Sequence, residues 1–141
     1  MKVTQKHKLF KILVRIPAIL VIAGIWFLSS RSILPQPKGI LGFDKFQHLL
    51  AYFVLACAAG LWFPRQKWQR PGVALLLLAA VISSVYGIID EIHQSFVPGR
   101  DCNIWDWLAD TIGALLGAGT MKFSALKLKR KEETSETDSV E

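Results

Sequence analysis

The sequence predicts an all-α membrane protein in which four transmembrane helices form a small bundle. Apolar residues make up 52% of the 141-residue chain, and they are gathered into blocks that polar stretches separate. Each block approaches the roughly 20 residues that a helix needs to cross a hydrocarbon layer about 30 Å thick. The stretch VALLLLAAV, residues 73–81, has no polar face to turn towards water, which argues against a soluble four-helix bundle.

The order of the elements follows from these blocks. The predicted spans cover residues 16–30, 46–63, 73–89 and 104–123. Residues 1–15 form a basic tail, which together with the first span would also suit a cleaved signal peptide, although no small-residue cleavage site follows. The prolines and glycine of LPQPKG, residues 34–39, predict a loop between the first two spans. Residues 124–141 are polar, charged and without aromatic residues, so we expect a disordered tail.

Lysine and arginine residues are distributed unevenly between the two sides of the membrane that four spans would create. The two tails and the loop between the second and third spans carry thirteen, in residues 1–15, 65–70 and 122–131, whereas the other side carries four. Because basic residues are retained on the cytoplasmic side, both termini are predicted to be cytoplasmic. This distribution explains the net charge of +6 without a nucleic-acid partner, and we expect none.

The acidic residues outside the C-terminal tail all fall on the opposite, predicted outer side. They are Asp44, Asp90, Glu91, Asp101, Asp106 and Asp110. A charged group at the centre of a bilayer costs about 2.5–3.5 kcal/mol even on mild insertion scales, so this concentration of acids indicates a functional site. On the second span, spacings of four residues place Asp44, His48 and Tyr52 on one helical face.

The third and fourth spans bring polar residues to the same level. On the fourth, Asp106 and Asp110 share a stripe with a GxxxG pair, so we expect these acids to face protein rather than lipid. At the end of the third, Glu91 and Gln94 share one side of the helix, and Asp90 lies on another side about 100° away.

A tight turn is predicted after the third span, in the sequence VPGR. It presents Arg100, a planar donor that suits phosphate or carboxylate groups. Structural interpretations are also open: Arg100 could neutralise Glu91 or Asp106. Asp44 could cap its helix, and His48 could be a buried polar group with no further role.

Two stretches together resemble a known family. DKFQHLLAY, residues 44–52, and DEIHQSFVPGRDCNIWDWLADTIGALLG, residues 90–117, are similar to the pattern of the VanZ-like family of small integral membrane proteins. The founding member of that family is linked to resistance to the glycopeptide antibiotic teicoplanin. The resemblance implies a multi-pass protein of the bacterial inner (cytoplasmic) membrane and a role in the cell envelope. Among the matching residues, those that we expect to form a ligand-binding site are Asp44, Lys45, His48, Tyr52, Glu91, Gln94, Arg100, Asp106 and Asp110.

Several functions are compatible with this site. The favoured one is a non-enzymatic envelope protein that binds an anionic lipid-linked or cell-wall component at the outer leaflet, with Arg100 and Lys45 contacting phosphate. A proton-coupled carrier is an alternative that would need a dimer, and a scaffold for other membrane proteins is another. The expected partners are membrane lipids or a lipid-linked envelope precursor, and a homo-oligomer is also open.

An intramembrane hydrolase or transferase is the main enzymatic alternative. The catalytic candidates are His48 as acid or base, with Glu91, Asp106 or Asp110 as its partner. The sequence contains neither an HExxH motif nor a nucleophile elbow, so the enzyme is not favoured. No cofactor is predicted, and no metal site, because the spacing does not favour a metal held by His48, Glu91 and Asp106.

Overall fold

The computed structural model of the protein describes residues 3–32 and 42–138. Within these ranges all regular secondary structure is helical and no β-strand occurs, which confirms the predicted all-α class for the described residues. The helices are α1 (Val3–Leu13), α2 (Ile16–Ser29), α3 (Phe43–Gly60), α4 (Arg65–Trp68), α5 (Ala74–Gln94) and α6 (Ile104–Asp138). The predicted LPQPKG loop lies outside the described residues.

Two helical stretches are long and apolar enough to cross a membrane. They are Leu9–Ser29, which runs from the end of α1 through α2, and Ala74–Gln94, which is α5, with mean hydropathies of 2.2 and 1.9. These two stretches are identified by their length and composition alone, and a signal sequence or a core helix of a soluble protein has the same properties. Spanning by α3 and α6, and the cytoplasmic position of both termini, therefore stay predictions.

Large apolar side chains are exposed along the outside of the helices. They include Ile19, Leu20, Leu77, Val81, Ile82, Val85 and Leu116. Soluble monomers rarely expose apolar patches of this extent, whereas lipid chains solvate such side chains at no cost. The exposed apolar surface therefore favours a lipid environment for these helices.

The helices α3 and α6 form a close pair through the two glycines of the GxxxG stripe. A Cβ atom at Gly113 would collide with the carbonyl oxygen of Leu49, and a Cβ at Gly117 would collide with the carbonyl oxygen of Phe53. Glycine at these positions lets the two backbones touch, as in small-residue interfaces of membrane helices. The stripe faces protein, as its spacing predicts, because Gly113 and Gly117 are buried together with the acids of the same face.

The C-terminal segment is not disordered, contrary to the prediction, up to the last described residue. Helix α6 continues without a break to Asp138, and residues 139–141 lie outside the described residues. Arg65 contacts Glu132 at 2.6 Å, which ties this extension to α4. Composition alone missed the helix because Lys, Arg and Glu favour helix as well as solubility, and extending an existing helix needs no new nucleation.

Candidate functional site

One end of the bundle, where α3 and α6 begin and α5 ends, carries the six acidic residues that precede residue 124, and we call it the acidic end. It contains Asp44, Asp90, Glu91, Asp101, Asp106 and Asp110. Asp101 is exposed, but four of these residues are buried: Asp90, Glu91, Asp106 and Asp110. A buried charge is costly unless it is paired and hydrogen-bonded, so the partners of each carboxylate decide what this end of the bundle can do.

Lys45 bridges two helices at the rim of the acidic end. Its Nζ lies 2.8 Å from Asp44 Oδ2 and 2.9 Å from Asp106 Oδ1. Asp44 and Lys45 precede the predicted span that begins at residue 46. Their hydrogen bond lowers the pKa of Asp44, while hydrogen bonds to Asp106 and then Asp44 raise the pKa of Lys45. The charge of Lys45 is therefore already balanced by carboxylates of the protein. Asp44 lies in the first turn of α3, whose N-cap is Gly42, so it is not the cap residue.

A histidine and two carboxylates meet deeper in the acidic end. His48 Nδ1 lies 2.9 Å from Asp110 Oδ1, a hydrogen bond between α3 and α6. Glu91 Oε1 lies 3.9 Å from the same nitrogen, which is too long for a hydrogen bond. Glu91 Oε2 instead accepts a hydrogen bond of 2.7 Å from the backbone N–H of Asn103. In the described part of the chain, Glu91 Oε1 and Asp110 Oδ2 are buried without a hydrogen-bond partner.

A glycine of α5 makes room for this arrangement. A Cβ atom at Gly87 would lie 2.9 Å from Asp110 Oδ2, closer than real Cβ atoms approach. Gly87 therefore allows the carboxylate of Asp110 to occupy the space between α5 and α3. Gly87 and Glu91 are four residues apart on α5 and both are buried, so the same side of this helix faces Asp110 and contributes Glu91.

Asp90 is a member of the site that the sequence interpretation did not select. It is 1% exposed, its Oδ2 accepts a 3.1 Å hydrogen bond from Gln94 Nε2, and its Oδ1 is buried with no partner among residues 3–32 and 42–138. The end of α5 is enclosed on two sides, so both Asp90 and Glu91 are buried although they point in different directions. The spacing of four residues between Asp90 and Gln94 was the available signal.

A groove of about 280 Å³ opens between α2 and α3 beside these side chains. The residues that line it are Ile25, Leu28, Ser29, Asp44, Gln47, His48, Ala51, Tyr52, Asp90 and Arg100. Ile25, Leu28 and Ala51 give it an apolar wall, and the polar residues come from α3, α5 and the following turn. The groove thus combines an apolar surface with ionisable groups.

Arg100 stands in this groove on the predicted tight turn. The turn is closed by a 3.1 Å hydrogen bond from the N–H of Arg100 to the carbonyl of Val97, and Gly99 has a φ of 81°. The half-buried Arg100 forms no ion pair with any described residue, and its Nε is buried without a hydrogen-bond partner there. It therefore does not neutralise Glu91 or Asp106, which was the structural alternative.

The nine predicted site residues reach the same end of the bundle but separate into distinct groups. Those that line the groove are Asp44, His48, Tyr52 and Arg100. Those that lie behind or beside it are Lys45, Glu91, Gln94, Asp106 and Asp110. Tyr52 is fully buried, and its hydroxyl lacks a hydrogen-bond partner among the described residues. Sequence reasoning missed the contribution of α2, which has apolar residues and no motif.

Comparison with known protein families gives one finding. A family model described as VanZ/LLP1 matches residues 2–126 of this chain. The matched range contains every predicted site residue and all of the groove. Neither the curated proteins nor the solved structures provide a match to the chain.

Proposed function

Because this chain belongs to the VanZ/LLP1 family, we propose that it is a membrane protein of the bacterial envelope that binds an anionic, lipid-linked component. Family membership and two apolar helices support the coarser part of this statement, a VanZ-like membrane protein. The nature of the ligand is our proposal, and it rests on the groove.

The observation that carries the proposal is Arg100, which forms no ion pair with a described residue and stands in a groove with an apolar wall. A guanidinium group is a planar fork of donors that suits the oxygens of a phosphate or a carboxylate. Since its Nε is buried without a partner among the described residues, an anionic ligand would supply the missing acceptor. Lys45 forms ion pairs with Asp44 and Asp106. We therefore assign binding of the anion mainly to Arg100, and not to Arg100 and Lys45 together.

The shape of the groove favours an amphiphilic ligand. Its volume of about 280 Å³ is near the lower limit of small-molecule sites, so it suits a headgroup and the first part of a chain. The apolar wall of Ile25, Leu28 and Ala51 would contact that chain, while the remainder lies among lipids. The excess of basic residues in the two tails and in residues 65–70, on the predicted cytoplasmic side, supports a position of the groove at the outer leaflet.

Binding of a polyprenyl phosphate by the full-length protein in detergent tests this proposal. We expect native mass spectrometry to detect a complex with the phosphate and not with the corresponding polyprenol. Arg100→Met should weaken binding about tenfold or more, since a hydrogen bond to a charged group contributes about 1.5–3 kcal/mol. Arg31→Met is the matched control, because Arg31 is exposed and stacks on Phe27 outside the groove. Equal losses in both variants, or equal binding of the polyprenol, would contradict the proposal.

A second candidate is an intramembrane hydrolase or transferase, and one observation favours it. The hydrogen bond between His48 Nδ1 and the buried Asp110 would orient the imidazole as a general acid or base at the groove. The test is release of inorganic phosphate from a polyprenyl diphosphate by the purified protein. If the protein is such an enzyme, the wild type releases phosphate and the His48→Gln variant does not. If the wild type releases no phosphate, the result argues for binding alone.

A further inference from the structure

The donor atoms of His48, Glu91 and Asp110 form a compact set inside the acidic end. One ligand atom from each residue lies within 4.8 Å of the others. Glu91 and Asp110 have side chains that are 4% and 0% exposed, and His48 connects the set to the groove. Each residue comes from a different helix, so the set exists only in the folded bundle.

We propose that His48, Glu91 and Asp110 bind one divalent first-row transition-metal cation through the imidazole Nδ1 and an oxygen of each carboxylate. This donor set of one imidazole and two carboxylates suits Zn²⁺ and Mn²⁺. The proposal goes beyond lipid binding and stands without it, because the cation needs no lipid in order to bind.

The two distances from His48 Nδ1 require only small movements to reach those of a bound ion. Ligand atoms around a tetrahedral zinc ion with bonds of about 2.0–2.1 Å lie about 3.3 Å apart. The distances from His48 Nδ1 to Asp110 Oδ1 and to Glu91 Oε1 are 2.9 Å and 3.9 Å, one shorter and one longer than that value. Side-chain shifts of roughly half an ångström would bring both to the distance of a bound ion.

The unsatisfied oxygens give independent support for a ligand at this place. Glu91 Oε1 is buried, has no hydrogen-bond partner in the described part of the chain and faces His48 Nδ1. Glu91 Oε2 is held by the N–H of Asn103, which fixes the carboxylate in the orientation that a bound ion would need. A cation between the imidazole and the two carboxylates would satisfy Glu91 Oε1, which no described donor reaches.

The balance of charges at the acidic end also favours a bound cation. Lys45 is bound to Asp44 and Asp106, and Arg100 forms no ion pair with a described residue. Glu91 and Asp110 therefore have only His48 nearby as a charge partner within the described residues. A divalent cation would balance both carboxylates and leave the imidazole neutral, which is the form that binds metals.

Three protein ligands would leave a fourth position, and His48 lies on the side of the groove. In zinc sites, a fourth position of this kind accepts water or an oxygen of a bound molecule. The proposed ion would therefore offer a second contact for an anion beside Arg100.

Zinc titration of the full-length protein, purified in detergent and stripped with a chelator, tests the proposal. Calorimetry and elemental analysis should give one Zn²⁺ per chain. Asp110→Asn and Glu91→Gln keep the shape of the side chains and remove the charge, and each should weaken binding by at least about tenfold. Asp101→Asn is the matched control, because Asp101 is exposed at the same end of the bundle, outside the donor set and the groove, and should keep the wild-type affinity.

X-ray absorption at the zinc edge of the wild-type protein makes the test independent of the folding of any variant. We expect one imidazole with oxygen ligands and no sulfur. Sulfur ligands would assign the ion to Cys57 or Cys102 and overturn the proposal. The proposal is also overturned if the wild type binds no Zn²⁺, or if Asp101→Asn loses as much affinity as Asp110→Asn.

Discussion

At the scale of single residues, Arg100 and Lys45 show how differently two cations of the same region are used. Lys45 lies within 2.9 Å of two carboxylates, whereas Arg100 has no carboxylate partner among the described residues and faces the groove. Local sequence does not distinguish these roles, because each residue stands directly beside an aspartate, Asp44 or Asp101. The difference makes Lys45 part of the structure and Arg100 available for a ligand.

Double-mutant cycles on unfolding in detergent with a chelator present should separate the two roles. We expect a coupling free energy below about 0.5 kcal/mol between Arg100→Met and Glu91→Gln, since these side chains form no ion pair. The cycle of Lys45→Met and Asp106→Asn should give a coupling of about 0.5 kcal/mol or more, because these residues are in contact. A coupling as large for the first pair would show that Arg100 neutralises Glu91.

Gly87 is the residue whose replacement should affect the donor set most directly without changing a donor. Gly87→Ala would bring a Cβ to 2.9 Å from Asp110 Oδ2, so we expect a loss of about 1–3 kcal/mol in the free energy of unfolding. The displaced Asp110 should also bind Zn²⁺ more weakly. Gly24→Ala is the control: no atom lies within 4 Å of its added Cβ, so stability should be unchanged or higher. Equal effects of the two changes would contradict the close approach of Asp110 to α5.

At the scale of elements, the contact of α3 with α6 sets the positions of His48 and Asp110. We expect Gly113→Ala to lower the free energy of unfolding by about 1–3 kcal/mol, because its Cβ would push against the backbone at Leu49. Gly119→Ala in the same helix has open space and should be neutral or stabilising. Thermal unfolding of both variants in detergent checks this, and equal stabilities would mean that the two helices do not touch through Gly113.

At the scale of the whole molecule, the charges separate along the bundle. The acids that precede residue 124 gather where α3 and α6 begin and α5 ends. Basic residues such as Arg65 and Lys122 lie at the other end, where Lys122 donates hydrogen bonds to the carbonyls of Arg70 and Gly72. This polarity agrees with the retention of basic residues in the cytoplasm. It leads to a prediction about the side on which each end lies.

Labelling of intact cells with a membrane-impermeant thiol reagent tests the topology. Cys102 is exposed at the acidic end and should be labelled in a Cys57→Ala protein without permeabilisation. Gln66 is exposed at the other end, so Gln66→Cys in a chain without Cys57 and Cys102 should be labelled only after permeabilisation. Labelling of residue 66 but not residue 102 in intact cells would reverse the predicted orientation.

The sequence by itself determined the class of the fold and the level at which the polar residues meet. Blocks of apolar residues predicted the helices, and a period of 3.6 residues placed Asp106 and Asp110 on the glycine stripe that α6 turns towards α3. These features depend on spacing along one helix, which the chain carries in its own order. The composition of residues 124–141 was misleading because polarity does not distinguish a solvated helix from disorder.

Only the tertiary structure decided which side chains meet across helices. Asp106 accepts a hydrogen bond from Lys45, and Asp110 is hydrogen-bonded to His48. The spacing on α6 places both acids on the same face and does not distinguish their partners. The sequence also did not predict that α2 lines the groove or that Asp90 is buried, because neither feature produces a periodic pattern in the chain. The physical reason is that the partner of a charge depends on the distance between side chains of different helices, and helix packing sets that distance.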